Sequence, residues 1–219
     1  MLRFKMKVLI FDTETTGLPL ERNPSIYDSS MWPYIVQLSY ILFDTEAKKS
    51  LVAHDWIIQI PEDVEISQGS INLHGITKEI SKTEGVDINF ALDCFDICLK
   101  SADEIVGHNM QFDKKMIIVE NIRNKRESGF KTSKNKEYCT MHNSKDLCAI
   151  KKLSKAGEIY NKFPTQTELH TKLFKLAPRG VHNSWNDILI CLRNYYKLKY
   201  NEDLYEVSNS FKRSYKCCI

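Results

Sequence analysis

The run KMKVLIFD at residues 5–12 constrains this chain more than any other stretch. It is short, apolar and stopped by an acid, which reads as a buried strand. Residues 13–33 then carry Gly17, Pro19, Pro24 and Pro33, the composition of an irregular excursion. Residues 34–44 and 51–60 supply two more strands, and the three are expected to form an antiparallel meander. Loop and short helix follow from 61 to 86. Asn89 is expected to cap a helix over 90–100, with Ala91, Cys94, Phe95, Cys98 and Leu99 on one face. Residues 102–107 read as a short strand and 112–127 as a helix. Thr165 and Glu168 form a capping-box pattern opening a helix with Leu169, Leu173 and Phe174 inward. A last helix starts near Trp185 and repeats Ile188, Cys191, Leu192, Tyr195 and Leu198. Strands followed by alternating helix and strand predict an α/β mixed sheet with helices on its faces. One domain is expected over 1–198, with 199–219 an exposed basic tail, part helical or disordered.

Composition sets the outer bounds. With 42% hydrophobic and 27% charged residues the chain buries a core and is not disordered. A net charge of +3 permits nucleic-acid binding without requiring it. No apolar run approaches the roughly 20 residues of a spanning helix, and no signal-peptide pattern opens the sequence. An intracellular address without membrane attachment is therefore expected. Seven cysteines, at 94, 98, 139, 148, 191, 217 and 218, include no Cys-x-x-Cys pair, which speaks against a disulfide framework or a zinc knuckle. Lys216 rules out a prenylation box around Cys217 and Cys218, so an exposed tail is preferred there over a lipidated or redox-active one. The stretch 121–137 has six basic residues against two acidic, and a solvated loop outweighs a nucleic-acid contact as its reading.

At the end of the first strand stands Phe11-Asp12-Thr13-Glu14-Thr15-Thr16-Gly17-Leu18. Strand side chains alternate, so Asp12 and Glu14 project to the same side. Two carboxylates so placed repel unless a hard dication lies between them. Asp-x-Glu alone is a common dipeptide pattern. Asp113 in VGHNMQFD and Asp187 in HNSWND each stand near a helix start, where an acid also suits the helix dipole. Histidine precedes aspartate by five positions twice, at His108/Asp113 and His182/Asp187, so spacing cannot choose between them. His108 follows a buried strand and is suited to shaping a site. His182 lies in a loop, free to reach a substrate.

Taken in order, FDTETTGL, LHGIT, VGHNMQFD and HNSWND closely resemble the motifs of the DEDD superfamily of 3′–5′ exonucleases, in its histidine-bearing, DnaQ-like (DEDDh) branch. The likeness covers most of residues 6–198 and is nearest to proofreading-type members. It implies an RNase H-like fold, with the site at one edge of the mixed sheet. It also implies that Asp12, Glu14, Asp113 and Asp187 hold two Mg²⁺ or Mn²⁺ ions, with His182 as general base. Two dications roughly 4 Å apart hold the attacking and leaving oxygens of an in-line displacement, and histidine accepts a proton near neutrality. Oxygen-only ligation disfavours zinc.

By the same resemblance, Thr15 offers its N–H or hydroxyl to the terminal nucleotide, Leu18 packs on its base, and His74 and Asn109 stand near its sugar or phosphate. Phe112 either stacks on a base or serves as a core aromatic. Two features depart from the family's pattern: the bulky Asn-Ser-Trp-Asn after His182 and the basic 121–137 insertion. The implied partner is a nucleic-acid 3′ end, DNA favoured over RNA, with a polymerase or repair complex as an optional associate. A haloacid-dehalogenase-type phosphatase fits poorly, because Glu14 stands where that chemistry needs an Asp. A binding module without hydrolysis is disfavoured by the presence of all five reactive residues.

Overall fold

The computed structural model describes residues 6–218. Lys5, first of the expected opening strand, and Ile219, last of the expected tail, lie outside them. In chain order the elements are β1 (Lys7–Thr15), β2 (Ile35–Asp44), β3 (Lys49–Ile57), α1 (Gln68–His74), α2 (Lys78–Glu84), α3 (Ile88–Ser101) and β4 (Glu104–Gly107). Then come α4 (Gln111–Arg123), β5 (Lys136–Cys139), α5 (Thr140–Asn143), α6 (Lys145–Cys148), β6 (Lys151–Leu153) and β7 (Ile159–Asn161). The chain closes with α7 (Gln166–Phe174), α8 (Ser184–Tyr200), α9 (Leu204–Val207) and α10 (Asn209–Ser214).

Five strands form one sheet in the order β3-β2-β1-β4-β5. The first three pair antiparallel, as their short connections require, whereas β4 and β5 join parallel after helical crossovers. This is a mixed α/β sheet with three antiparallel strands, the architecture that the motif resemblance implies. β1 lies at its centre, and its two faces divide the core. Leu9 and Phe11 pack with α3 and α4 through Phe95, Leu99, Met116 and Ile117. Val8 and Ile10 pack on the opposite face against Ile188, Leu192 and Tyr195 of α8. Asp12 and Glu14 continue this second face beyond the apolar part of the strand.

α8 is fastened to the sheet at both ends. At its start, the Ser184 N–H donates to Gln37 Oε1 (3.2 Å), and the Ser184 hydroxyl meets Ser39 Oγ (2.5 Å) on β2. Near its end, Tyr195 Oη donates to the buried Glu104 carboxylate of β4 (2.5 Å), which Lys199 also neutralises (3.1 Å). The helix axis is thereby set across the strands that carry Asp12 and Glu14.

Several local expectations are corrected. Asp87, not Asn89, caps α3 by accepting from the N–H groups of Asn89 and Phe90 (2.8 and 3.3 Å). α4 stops at Arg123 because Lys125 turns left-handed (φ 56°). The basic 121–137 stretch contributes the start of the edge strand β5, whose polar residues carry no apolar period. The region after 199 is not an exposed tail. Leu204, Phe211, Tyr215 and Cys218 are buried in the α8 cluster, because these few apolar side chains fall on one side of short helices. Tyr215 Oη donates to His170 Nε2 (2.7 Å), and His170 Nδ1 donates in turn to Leu176 O (2.8 Å). Arg193 pairs with Asp203 (2.7 Å) beneath the same aromatic rings. Among the described residues, no helix is long and apolar enough to cross a membrane.

Candidate active site

Asp12, Glu14 and Asp187 each present a carboxylate oxygen such that all three lie within 4.8 Å of one another. Two come from the end of β1, two residues apart on one face. The third comes from the first turn of α8, which is held in place by the Ser184 contacts to Gln37 and Ser39. Opposite Asp12 and Glu14 on β2 stand Ser39 and Gln37 themselves. The residues that receive α8 are thus the cross-strand neighbours of the acids that Asp187 joins.

Asp113 arrives from the other face of β1, on α4. Its Oδ1 accepts from the Thr13 N–H (3.1 Å) and hydroxyl (2.8 Å), and it stands outside the mutual 4.8 Å of the trio. It still acts on the other acids through space. Burial raises Asp12 well above the ordinary carboxylate range, and Asp113, Asp187 and Glu14 push it further. Burial followed by Asp187 and Asp113 lifts Glu14 to about 8. Asp113 rises to about 7 through burial, despite the Thr13 hydrogen bonds that oppose it. Asp187 rises to about 6 through burial, opposed by His182. Among the described residues, no lysine or arginine forms an ion pair with any of the four. Four acids held together without a counter-cation form the donor set that a hard dication fits.

These shifts set a stability prediction. Each acid titrates higher in the folded chain than the roughly 4 of an unfolded carboxylate. Its stabilising contribution is therefore full below that value and lost as pH rises through the folded pKa. His108 and His170 are shifted the opposite way, each to about 4, chiefly by burial. Their contribution is complete above about 6.5 and is lost only as pH falls. Between about pH 7 and 8 the raised acids Glu14 and Asp113 titrate in the fold, so the melting temperature of the protein in chelator should fall across that interval. Saturating Mg²⁺ or Mn²⁺ should remove most of the fall and raise the midpoint by roughly 5–10 °C at a hundredfold excess over Kd. A flat metal-free profile in calorimetry would contradict the arrangement.

His182 sits at the rim, exposed, with its backbone in the left-handed region (φ 66°). Its N–H donates to Asp187 Oδ2 (3.0 Å), while its ring makes no hydrogen bond to a described residue. The loop that carries it is held from behind, since Arg179 N donates to Cys218 O (3.0 Å) and Asn186 Nδ2 to Gly180 O (2.9 Å). His108 is different. Its two ring nitrogens are engaged by Thr140 Oγ1 (3.0 Å) and Pro164 O (3.1 Å), and burial keeps it neutral.

The remaining expected residues border two adjoining clefts. Thr15, Leu18, His74 and Phe112 line one of about 400 Å³ that reaches Glu14. Leu18, Asn109 and Phe112 line a second of about 640 Å³ with Trp32, Arg22 and Lys115. Leu18, at 82% exposure, and the half-buried Phe112 are shared by both. The Thr15 hydroxyl is spent on Gly17 O (2.7 Å). His74 accepts at Nδ1 from the Ile76 N–H (3.0 Å), so Nε2 faces Thr15 O as the donor (3.3 Å). This histidine thus braces the end of β1 as well as lining the cleft. Asn109 adopts φ 64°, which its short amide tolerates.

A residue that the motifs do not mark is Gln166. Its Nε2 donates to Asp187 Oδ1 (3.1 Å) and to Asp187 O (2.9 Å). In sequence it is one polar residue in a capping box, with nothing to show that α7 points its first turn at α8. Gln166→Leu keeps the volume and removes the donor. It should weaken Mn²⁺ binding roughly 10–100-fold, as for other residues that orient a ligand. Calorimetric Mn²⁺ titration checks this, and an unchanged affinity would limit Gln166 to packing.

The family model described as exonuclease (RNase_T) matches residues 9–195. The chain belongs to the exonuclease family. Within it, the DEDDh pattern makes this chain a member of that type of the 3′–5′ exonuclease superfamily. No curated protein matches the sequence significantly. Among solved structures, the exonuclease-family chain is similar to E. coli exonuclease I in complex with a dT13 oligonucleotide, with a TM-score of 0.62 and 15% identity over 88% of this chain and 41% of that one. The zinc-bound E. coli exonuclease I–ssDNA complex gives 0.62 and 16% over 92% and 42%. Exonuclease I from Methylocaldum szegediense gives 0.62 and 12% over 92% and 42%. At such identities the likeness is one of fold, and this chain spans less than half the length of each of these proteins.

Proposed function

We propose that this chain is a divalent-metal-dependent exonuclease that removes nucleoside monophosphates from nucleic-acid 3′ ends, with DNA as its preferred substrate. The observation that carries this reading is the convergence of Asp12, Glu14 and Asp187 within 4.8 Å, beside a cleft bounded by Leu18 and His74. Asp12, Glu14 and Asp187 would hold Mg²⁺ or Mn²⁺, and Asp113 would add its charge from the Thr13 side. Two ions bound there supply neutralisation of the phosphodiester charge and activation of water for in-line attack. His182, at the rim with a free ring, takes the proton from the attacking water. Asp187 fixes the His182 backbone by its hydrogen bond, so one residue serves both the acid cluster and the placing of the base. Leu18 and Phe112 present apolar surface to the terminal base, and Asn109 offers its amide at the neighbouring cleft. His74 holds the β1 end against which the terminal nucleotide lies.

The preference for DNA draws support from the oligonucleotides bound to the similar exonuclease I structures. Digestion of 5′-labelled single-stranded DNA, duplex DNA and RNA, each with Mg²⁺, Mn²⁺ or chelator, tests the whole reading. Stepwise shortening of DNA from the 3′ end, abolished by chelator, is the expected result. Faster shortening of RNA would reverse the substrate preference, and no shortening with either ion would defeat the proposal.

A further inference from the structure

The hairpin β6–β7 stands apart from the five-stranded sheet. Its register places Lys152 opposite Tyr160 and Leu153 opposite Ile159. Directly opposed residues of an antiparallel ladder share a face. One face therefore carries Lys152 beside the Tyr160 ring, and the other carries the Leu153–Ile159 pair with Lys151 opposite Asn161 at the root. Both faces are open: Leu153 is 64% exposed, Ile159 72% and Tyr160 44%. Lys155 lies in the turn between the strands. None of Lys151, Lys152 and Lys155 forms an ion pair or side-chain hydrogen bond with a described residue. In contrast, both arginines of the 121–137 stretch are committed, Arg123 to Glu120 and Arg126 to Asp93.

A two-stranded hairpin is marginal without support, and this one is joined to the helices at its base. Lys162 N donates to Ile150 O (2.9 Å), which continues the ladder by one rung, while Lys162 Nζ pairs with Glu168 of α7 (2.6 Å) and the Phe163 ring lies 4.9 Å from that of His142. Pro164 O meets His108, and Gln166 reaches Asp187. Four residues thus separate Asn161, the last residue of the hairpin, from Gln166, whose side chain touches the acid cluster. From that root the arm extends roughly 15 Å at strand rise.

We propose that β6–β7 is an arm that grips single-stranded nucleic acid running out of the cleft, Lys152 and the turn's Lys155 meeting phosphates beside Tyr160, which stacks on a base, and Lys151 reaching a phosphate from the other face at the arm's root. Unpaired cations beside an exposed aromatic match a polyanion whose bases are free to stack. The inference rests on the exonuclease reading and adds to it a contact for nucleotides upstream of the terminal one.

The test is fluorescence anisotropy with the full chain carrying Asp12→Asn, so that the strand is not consumed. The probes are labelled oligo(dT) of about 20 and about three nucleotides, lengths that do and do not reach the arm. Lys151→Ala/Lys152→Ala/Lys155→Ala should weaken binding of the long probe tenfold or more. It should also lower the salt slope by about 2, at roughly 0.7 per phosphate contact on a single strand. The short probe should bind as before. Tyr160→Ala should weaken the long probe with little change in salt slope, and the triple Lys→Arg variant should bind like the parent. Unchanged affinity and slope for the long probe would overturn the arm, as would equal losses on both probes. If the native chain releases nucleotides but the triple Ala variant binds as the parent does, the arm falls and the exonuclease reading stands. If binding depends on the arm but nothing is hydrolysed, the reverse holds.

Discussion

Asp12→Asn is expected to lower hydrolysis by roughly 10³-fold or more while raising the melting temperature of the metal-free protein. The loss follows from the proposed role of Asp12 as a ligand of the dications, which would supply several kcal/mol of transition-state charge stabilisation. The gain follows from the state of Asp12 in the fold. Burial, then Asp113, Asp187 and Glu14, all disfavour its charged form. An amide of the same shape removes a buried charge without opening a cavity, and it relieves Glu14, Asp113 and Asp187 as well. This exchange of stability for a charged site is common where function demands repulsion. Calorimetry in chelator, beside a nuclease assay, checks both halves. A variant that is inactive and also melts lower at pH 8 would mean that the carboxylate supports the fold. Added Mg²⁺ should raise the midpoint of the parent more than that of the variant.

His182→Ala should slow turnover by about 10²–10⁴-fold, the usual worth of a general base, with KM little altered. The contact the fold uses is the His182 N–H to Asp187 Oδ2, and alanine keeps that N–H. The variant should therefore bind Mn²⁺ as the parent does and melt at nearly the same temperature. The pH–rate profile of the variant should differ from that of the parent. An unchanged turnover and profile would leave the reaction without a protein base, since the rings of His108 and His170 are both engaged and held neutral by burial.

Both substitutions concern residues that the sequence marks, and the reason is physical. Asp12 and Glu14 are read from strand alternation, which depends only on neighbouring residues. The buried strands around them have apolar runs that are hard to mistake. Elements lacking such runs were not legible. β5 is polar, and β6–β7 exposes both faces, so neither carries a period to find. The segment from Leu204 to Cys218 is basic on average, and its burial depends on four side chains meeting α8. The Asn89 cap was misplaced by two residues because Asp87 can accept from the same N–H groups. Gln166 shows the limit most plainly, since its partner is 21 positions away on another helix.

What local sequence determined by itself was the first three strands with their antiparallel meander, the short strand at 102–107, and which residue types stood ready at their ends. Alternation, capping and turn preference act over a few residues and need no knowledge of the rest of the chain. The assembly of the site was decided elsewhere. Ser184 had to dock on Gln37 and Ser39 before Asp187 could meet Asp12, and Thr13 had to turn Asp113 aside. Those contacts join residues 100 and 147 positions apart, and only the packing of α4 and α8 on opposite faces of one strand brings them together.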